Sequence, residues 1–448
     1  MSAMEEAGGK TLVTPGAKYE QMGKIPFFAG YDPESKKLTL RGATHFPPEV
    51  LDFADSIEIL DASNCGLSAL PQDFGRLRNL KVAFFSNNLF EEIPEVLSQC
   101  SNLSMLAFKS CKIARFPENA LPPSIRWLML TDNLLTELPA SIGALTHLQK
   151  LALAGNRLSS LPDEMAACRE LELLRISANN FTSPPPDWLF SLPRLAWYGD
   201  AGNPFSAKSA VEQTPLSEIS WNEIALGRMI NESPSTTVYE ATVTATDERV
   251  AVKIFKTGLA SDGYPADDMH ASIAAGEHEN LIRIIGQLTQ TPDDKHGLVL
   301  SLVPSTYTKL GLPPNFDTCT RDTFPESVSF SLPYVRNVLR GVASAGRHLH
   351  GHGLAHGDLY AHNTLSNAEG HSLLGDFGAA SLYDPSSGKA RERLDVRAFG
   401  CLMDDLLSRC EKGSPTEDIA KLRSLQDACM NASVSERPLF SEICEALK

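Results

Sequence analysis

The first half of the chain carries two nested hydrophobic periods. Apolar anchors open successive stretches at Ile57, Leu80, Leu103, Ile125, Leu148, Leu171 and Leu195, spaced by 23, 23, 22, 23, 23 and 24 residues. Within each stretch the order LxxLxLxxNxL recurs, as at Leu148, Leu151, Leu153, Asn156 and Leu158. The LxL alternation predicts a short strand with its leucines on one side. Proline then ends the strand and returns the chain, at Leu70-Pro71, Ile93-Pro94, Phe116-Pro117, Leu138-Pro139 and Leu161-Pro162. The slot after each strand holds Cys65, Asn88, Cys111, Asn133, Asn156, Asn179 or Asn203, side chains able to satisfy the backbone of a buried turn. One unit cannot cover its own apolar face, so the pattern predicts at least seven stacked units.

These residues form the leucine-rich-repeat signature. The resemblance implies an α/β leucine-rich-repeat solenoid over 57–205, with 1–56 as N-terminal segment and cap. Positions alternating with the inward leucines face the concave side: Ile59, Val82, Met105, Trp127, Lys150, Leu173 and Trp197, then Asp61, Phe84, Ala107, Met129, Ala152, Arg175 and Gly199. Phe84, Met105, Trp127 and Met129 adjoin one another there. A contiguous exposed apolar patch usually marks a contact surface, so these four are the expected partner-binding residues.

A polar stretch at 206–218 breaks the period and reads as a linker. From 219 to 448 strand-like segments such as Val250–Ile254 are followed by amphipathic ones such as Val335–His350. Three motifs follow in order: Val250-Ala251-Val252-Lys253, His356-Gly357-Asp358-Leu359-Tyr360-Ala361-His362-Asn363 and Asp376-Phe377-Gly378. Asp395-Val396-Arg397-Ala398-Phe399-Gly400 and Arg437-Pro438 lie behind them. Together they resemble a eukaryotic-type protein kinase, which implies an α+β two-lobed domain, ATP and Mg²⁺. On that resemblance Lys253 holds phosphates, Asn363 and Asp376 hold Mg²⁺, and catalytic Asp358 accepts the proton of a protein hydroxyl, most often of Ser or Thr. Ala251, Asn231, Ser233, Thr236, Val238, Leu300 and Val303 fall where ATP would lie, and Asp268 where the lysine's acidic partner stands. The whole arrangement is similar to bacterial leucine-rich-repeat protein kinases, with the repeats recruiting a protein partner.

Several positions depart from the family. Asn231, Ser233 and Thr236 replace the three glycines that let backbone amides approach phosphates. Asp268 is one methylene shorter than the usual glutamate. Gly357 and Tyr360 replace the arginine and lysine frequent in this loop, and only 16 residues separate Gly378 from Asp395. Switching by phosphorylation of that segment is therefore not expected. The departures also leave open a pseudokinase scaffold, or phosphoryl transfer to a small molecule.

Composition narrows the partners. A formal charge of −15 disfavours nucleic acid and anionic membrane, both of which need basic patches. No run approaches the roughly 18 apolar residues of a membrane span, and the first thirty residues lack the basic start and apolar centre of a signal peptide. Nine scattered cysteines without a CxxC pair read as free thiols, which gives a cytoplasmic expectation. His348, His350, His352 and His356 lie close together, but His350 and His356 fit the kinase pattern and no acidic or cysteine partners flank them at zinc-site spacing.

Overall fold

The computed structural model describes residues 21–206, 216–387, 389–413 and 415–448. Most of the expected linker and the first 20 residues of the expected cap lie outside them. Nine strands run side by side in chain order: β1 Phe28–Asp32, β2 Lys37–Leu40, β3 Ile59–Asp61, β4 Val82–Phe84, β5 Met105–Ala107, β6 Trp127–Met129, β7 Lys150–Ala152, β8 Leu173–Arg175 and β9 Trp197–Gly199. β1 and β2 form an antiparallel hairpin that closes the end of the array, and pairing from β2 to β9 is parallel. The register is strict, with Leu128, Leu151 and Leu174 side by side across β6, β7 and β8. All seven anchors are fully buried in one core with these central leucines. Pro94, Pro139 and Pro162 each open a short 3-10 segment on the return side, where a missing N–H costs nothing.

The asparagine slot works as a repeated staple. Asn156 Oδ1 accepts from the Leu135 amide at 3.1 Å, while its Nδ2 donates to the carbonyls of Leu130 and Leu153, both at 2.9 Å. Asn88, Asn133, Asn179 and Asn203 repeat the arrangement in their own units. Cys111 is a weaker version, its thiol reaching the Phe85 carbonyl at 3.3 Å.

The second half begins with β10, Ser217–Ser220, which pairs in parallel with β14, Ile284–Thr289. The linker boundary at 218 is thus corrected: Ser217 and Glu218 already belong to a sheet of order β10-β14-β15-β13-β12-β11. The remaining members are β11 Ile224–Glu232, β12 Thr236–Val243, β13 Glu248–Phe255 and β15 Gly297–Ser301, with helix α1, Pro265–Ala274, between β13 and β14. A helical part follows, with α2 Leu332–Gly351, α3 Ala390–Leu407, α4 Thr416–Cys429 and α5 Phe440–Ala446. Val335, Val338, Leu339 and Val342 line the buried stripe of α2 and meet Phe399, Leu402, Leu406 and Phe440. His350 bonds Tyr383 and Asp395, and no metal-holding cluster of His, Cys, Asp or Glu occurs among the described residues. Nor is any described helix long and apolar enough to cross a membrane.

The two halves are packed together, and this corrects the expectation of a free concave face. Trp197 on β9 stacks on Tyr360 with ring centroids 4.5 Å apart and planes 3° from parallel, and its indole N–H donates to the Leu359 carbonyl at 3.0 Å. Arg391 grips Asp200 through two bonds of 3.0 and 2.6 Å, and Arg437 donates to the Pro193 carbonyl at 2.7 Å. Of the four expected partner-binding residues, Met105 is only 6% exposed. Phe316 of the second half lies against Phe84 and Trp127, and Lys150 Nζ sits 4.1 Å over the Trp127 ring. Phe84, Trp127 and Met129 are half-buried. An apolar patch read from alternation alone is covered here by the chain's own segment.

Asn156→Ala removes an acceptor and a double donor from buried backbone groups. It should destabilise the repeats by about 2–3 kcal/mol, whereas the exposed Asn180→Ala stays within about 0.5 kcal/mol. Urea unfolding of both variants beside the parent chain checks this.

Candidate active site

Strand register puts the residues expected to face ATP on one side of the sheet. Lys253 on β13 pairs with Val238 on β12 and Leu298 on β15, and Ala251 pairs with Leu300, so these side chains share one face. Below that face lies a cavity of about 400 Å³ lined by Asn231, Ser233, Thr236, Val238, Ala251, Lys253, Leu300, Val303, Asn363 and Asp376. This is within the range of small-molecule sites. Asp268 and Asp358, also expected at the site, do not line this cavity; Asp268 is paired with Lys253 and Asp358 is hydrogen-bonded to Asn363.

The Lys253 partner forms despite the shorter acid. Pro265 starts α1 close enough that Asp268, in its first turn, meets Lys253 Nζ with both carboxylate oxygens, at 3.0 and 2.8 Å. Lys253 is 14% exposed and Asp268 3%. Burial raises the Asp268 carboxyl above its ordinary range, Lys253 opposing. Phe377 shares a buried apolar cluster with Ala271 of α1, with Ala275 just past its end and with Leu349 of α2.

The catalytic loop is fixed by its backbone. Asp395 on α3 accepts from the amides of His356 at 2.7 Å and Gly357 at 3.0 Å, and His356 Nε2 bonds the Gly375 carbonyl at 3.1 Å. Asn363 Nδ2 donates to Asp358 Oδ2 at 2.7 Å and to its carbonyl at 3.0 Å. That commits the amide nitrogen and leaves Asn363 Oδ1 as the atom able to hold a cation. Asp376 has φ +60°, and its Oδ1 accepts from the Gly378 amide at 3.3 Å, leaving Oδ2. One carboxylate and one amide oxygen on the same cavity suit Mg²⁺, which keeps several waters and commonly takes its other ligands from substrate phosphates.

The loop between β11 and β12 departs most from a phosphate cradle. Ser233 Oγ accepts from the amides of Ser235 and Thr236 at 3.3 and 3.0 Å, and the Ser233 amide donates to the Thr236 carbonyl at 2.9 Å. The Ser233 hydroxyl closes the turn, and the amides of Ser233, Ser235 and Thr236 are bonded within it.

Arg175 on β8 was not expected here; alternation placed it on an open face. The structure buries it, 3% exposed, with Nε 2.6 Å from Asp262 Oδ1, Nη1 3.1 Å from the Gly357 carbonyl and Nη2 on Asp358 Oδ1. Asp358 retains 20% exposure. Burial raises its carboxyl above the ordinary range; Arg175 acts against that, while Asp262 and Asp376 add to it. A sequence signal for this existed, because no lysine or arginine occurs from His348 to Gly388, a stretch spanning both carboxylate motifs.

Residues 227–410 match the protein kinase domain model, and residues 123–181 match the leucine-rich-repeat model. The chain carries a protein kinase domain behind leucine-rich repeats. The kinase reading is supported by likeness to a probable serine/threonine-protein kinase of Dictyostelium discoideum, 29% identical over 168 residues, or 36% of this chain and 22% of the relative. A probable inactive L-type lectin-domain containing receptor kinase of Arabidopsis thaliana is 34% identical over 92 residues, 18% of this chain and 15% of its own length. The TMV resistance protein N of Nicotiana glutinosa is 37% identical over 86 residues, 18% of this chain and 7% of its own. The matches thus span about a fifth or less of these relatives.

Within the kinase domain, Asp268→Ala leaves the Lys253 ammonium buried without a partner. The domain should lose about 3 kcal/mol of stability and bind Mg²⁺-nucleotide more weakly, read by thermal melting with and without ADP.

Proposed function

We propose that the chain is an ATP- and Mg²⁺-dependent protein kinase acting on a Ser or Thr hydroxyl. The observation that carries this reading is the convergence of the ion-paired Lys253, Asn363 and Asp376 on one cavity, with Asp358 hydrogen-bonded to Asn363. Bound Mg²⁺-ATP supplies the phosphoryl group and the metal charge that offsets the negative charge of its oxygens. Lys253, held by Asp268, fixes a positive charge at the phosphate end of the cavity. Leu300 and Val303 provide an apolar wall for the base. Asn363 Oδ1 and Asp376 Oδ2 would hold the cation. Asp358 orients the acceptor hydroxyl and takes its proton, a role that contributes about 10²- to 10⁴-fold. The nine cysteines form no disulfide, which supports a reducing compartment and a cytoplasmic place of action. A protein partner at Phe84 and Trp127 has to displace Phe316.

The closed Ser233 turn favours a second reading, a scaffold that binds nucleotide without transferring phosphate. One assay separates them: labelled ATP with Mg²⁺ and a generic Ser/Thr substrate, comparing the parent with Asp358→Asn. Transfer by the parent, reduced about 100-fold or more in Asp358→Asn, is the expected result. Equal rates would remove Asp358 from the chemistry, and nucleotide binding without transfer would establish the scaffold.

A further inference from the structure

The kinase segment from His348 to Gly388 has no fixed cation, yet Asp358 is a largely buried carboxylate with Asp262 and Asp376 near it. A buried carboxylate needs a positive partner to hold one orientation. Its only described ion pair is to Arg175, which comes from the repeats. The same guanidinium also takes Asp262, in the loop between β13 and α1, and the Gly357 carbonyl, in the catalytic loop. It therefore ties the sheet part of the domain to the helical part across the cleft.

The backbone on both sides is shaped for this approach. Gly357 has φ +68°, and a Cβ there would run into the Tyr198 carbonyl and stand 2.7 Å from that of Ala379. In the repeats, a Cβ on Gly155 would run into Leu259, and one on Gly202 would stand 2.6 Å from Asp267 Oδ2 of α1. The contact leaves the nucleotide cavity open, because no repeat residue lines it. Lys253 and Asp268 are paired with the repeats in place.

We infer that Arg175 is a positioning residue of the phosphoryl-transfer site, through which the repeats supply the cation that the catalytic loop lacks and orient Asp358. This rests on the proposed kinase activity. The repeats are then part of the catalytic apparatus, and not solely a recruiting module.

The test is steady-state kinetics of the full chain with Arg175→Ala, Arg175→Lys, Asp262→Asn, Leu259→Ala and Asp358→Asn, alongside ADP titration and hydrogen exchange over residues 355–363. Arg175→Ala should lower kcat about 30-fold or more, with KM for ATP and ADP affinity within about threefold. Exchange in the catalytic loop should rise. Arg175→Lys should recover about a third or more of the lost kcat on a logarithmic scale, since lysine keeps the charge but not the fork. Asp262→Asn, which keeps the shape of the anchor, should lower kcat about 3- to 10-fold even if Arg175→Ala proves too unstable to assay. Leu259→Ala loosens the same contact without removing the charge and should stay within about threefold of the parent. A parent no faster than Asp358→Asn would overturn the proposed activity and this inference with it. An active parent with undiminished or faster Arg175→Ala would overturn the inference alone, as would equal losses in Arg175→Ala and Leu259→Ala.

Discussion

A guanidinium taken from water into a contact between two carboxylates and a carbonyl organises this molecule. Desolvating Arg175 is costly, and its partners repay the cost only if the donors of its planar fork meet them in the right directions. The guanidinium and its partners come from three places distant in sequence: β8 of the repeats, the loop before α1, and the catalytic loop. Satisfying them together fixes how the repeat sheet sits on the kinase domain. Gly357 follows from that constraint, since any side chain there would strike β9. So does the flat stacking of Tyr360 on Trp197. The two residues that depart from the expected loop pattern, Gly357 and Tyr360, both lie against the repeats, as do Asp358 and Leu359 between them.

The nucleotide side is built on different terms. Its ion pair, Lys253 with Asp268, lies wholly within the kinase domain, and the shorter acid suffices because Pro265 starts the helix near β13. Asp395 holds the catalytic loop through two backbone amides, so the positions of Asp358 and Asn363 do not depend on their own rotamers alone. The Ser233 turn is the one element that works against a phosphate cradle, since its amides are already bonded.

The repeats were legible in the sequence almost residue by residue, because a 23-residue period repeats the same burial and the same asparagine staple. The residues around the nucleotide cavity were legible from motif order and spacing, down to Asp268 by counting. What could not be read was tertiary. Alternation says that Arg175, Trp197 and Trp127 point away from the leucine core, and they do; it says nothing about what the second half lays over them. The role of Ser233 was equally hidden, since a hydroxyl can face a ligand or its own turn, and only the backbone path decides. The start of β10 at Ser217 was missed because a polar edge strand resembles a linker in composition.

The account makes the repeats and the kinase domain one cooperative body, and scanning calorimetry of the full chain tests that claim most directly. Ligand that binds only the folded state raises the stability of whatever unfolds with its site. The account predicts one transition that includes both halves and moves upward as a whole with Mg²⁺-ADP, although the nucleotide cavity contains no repeat residue. Two separate transitions, of which nucleotide moves only one, would contradict it.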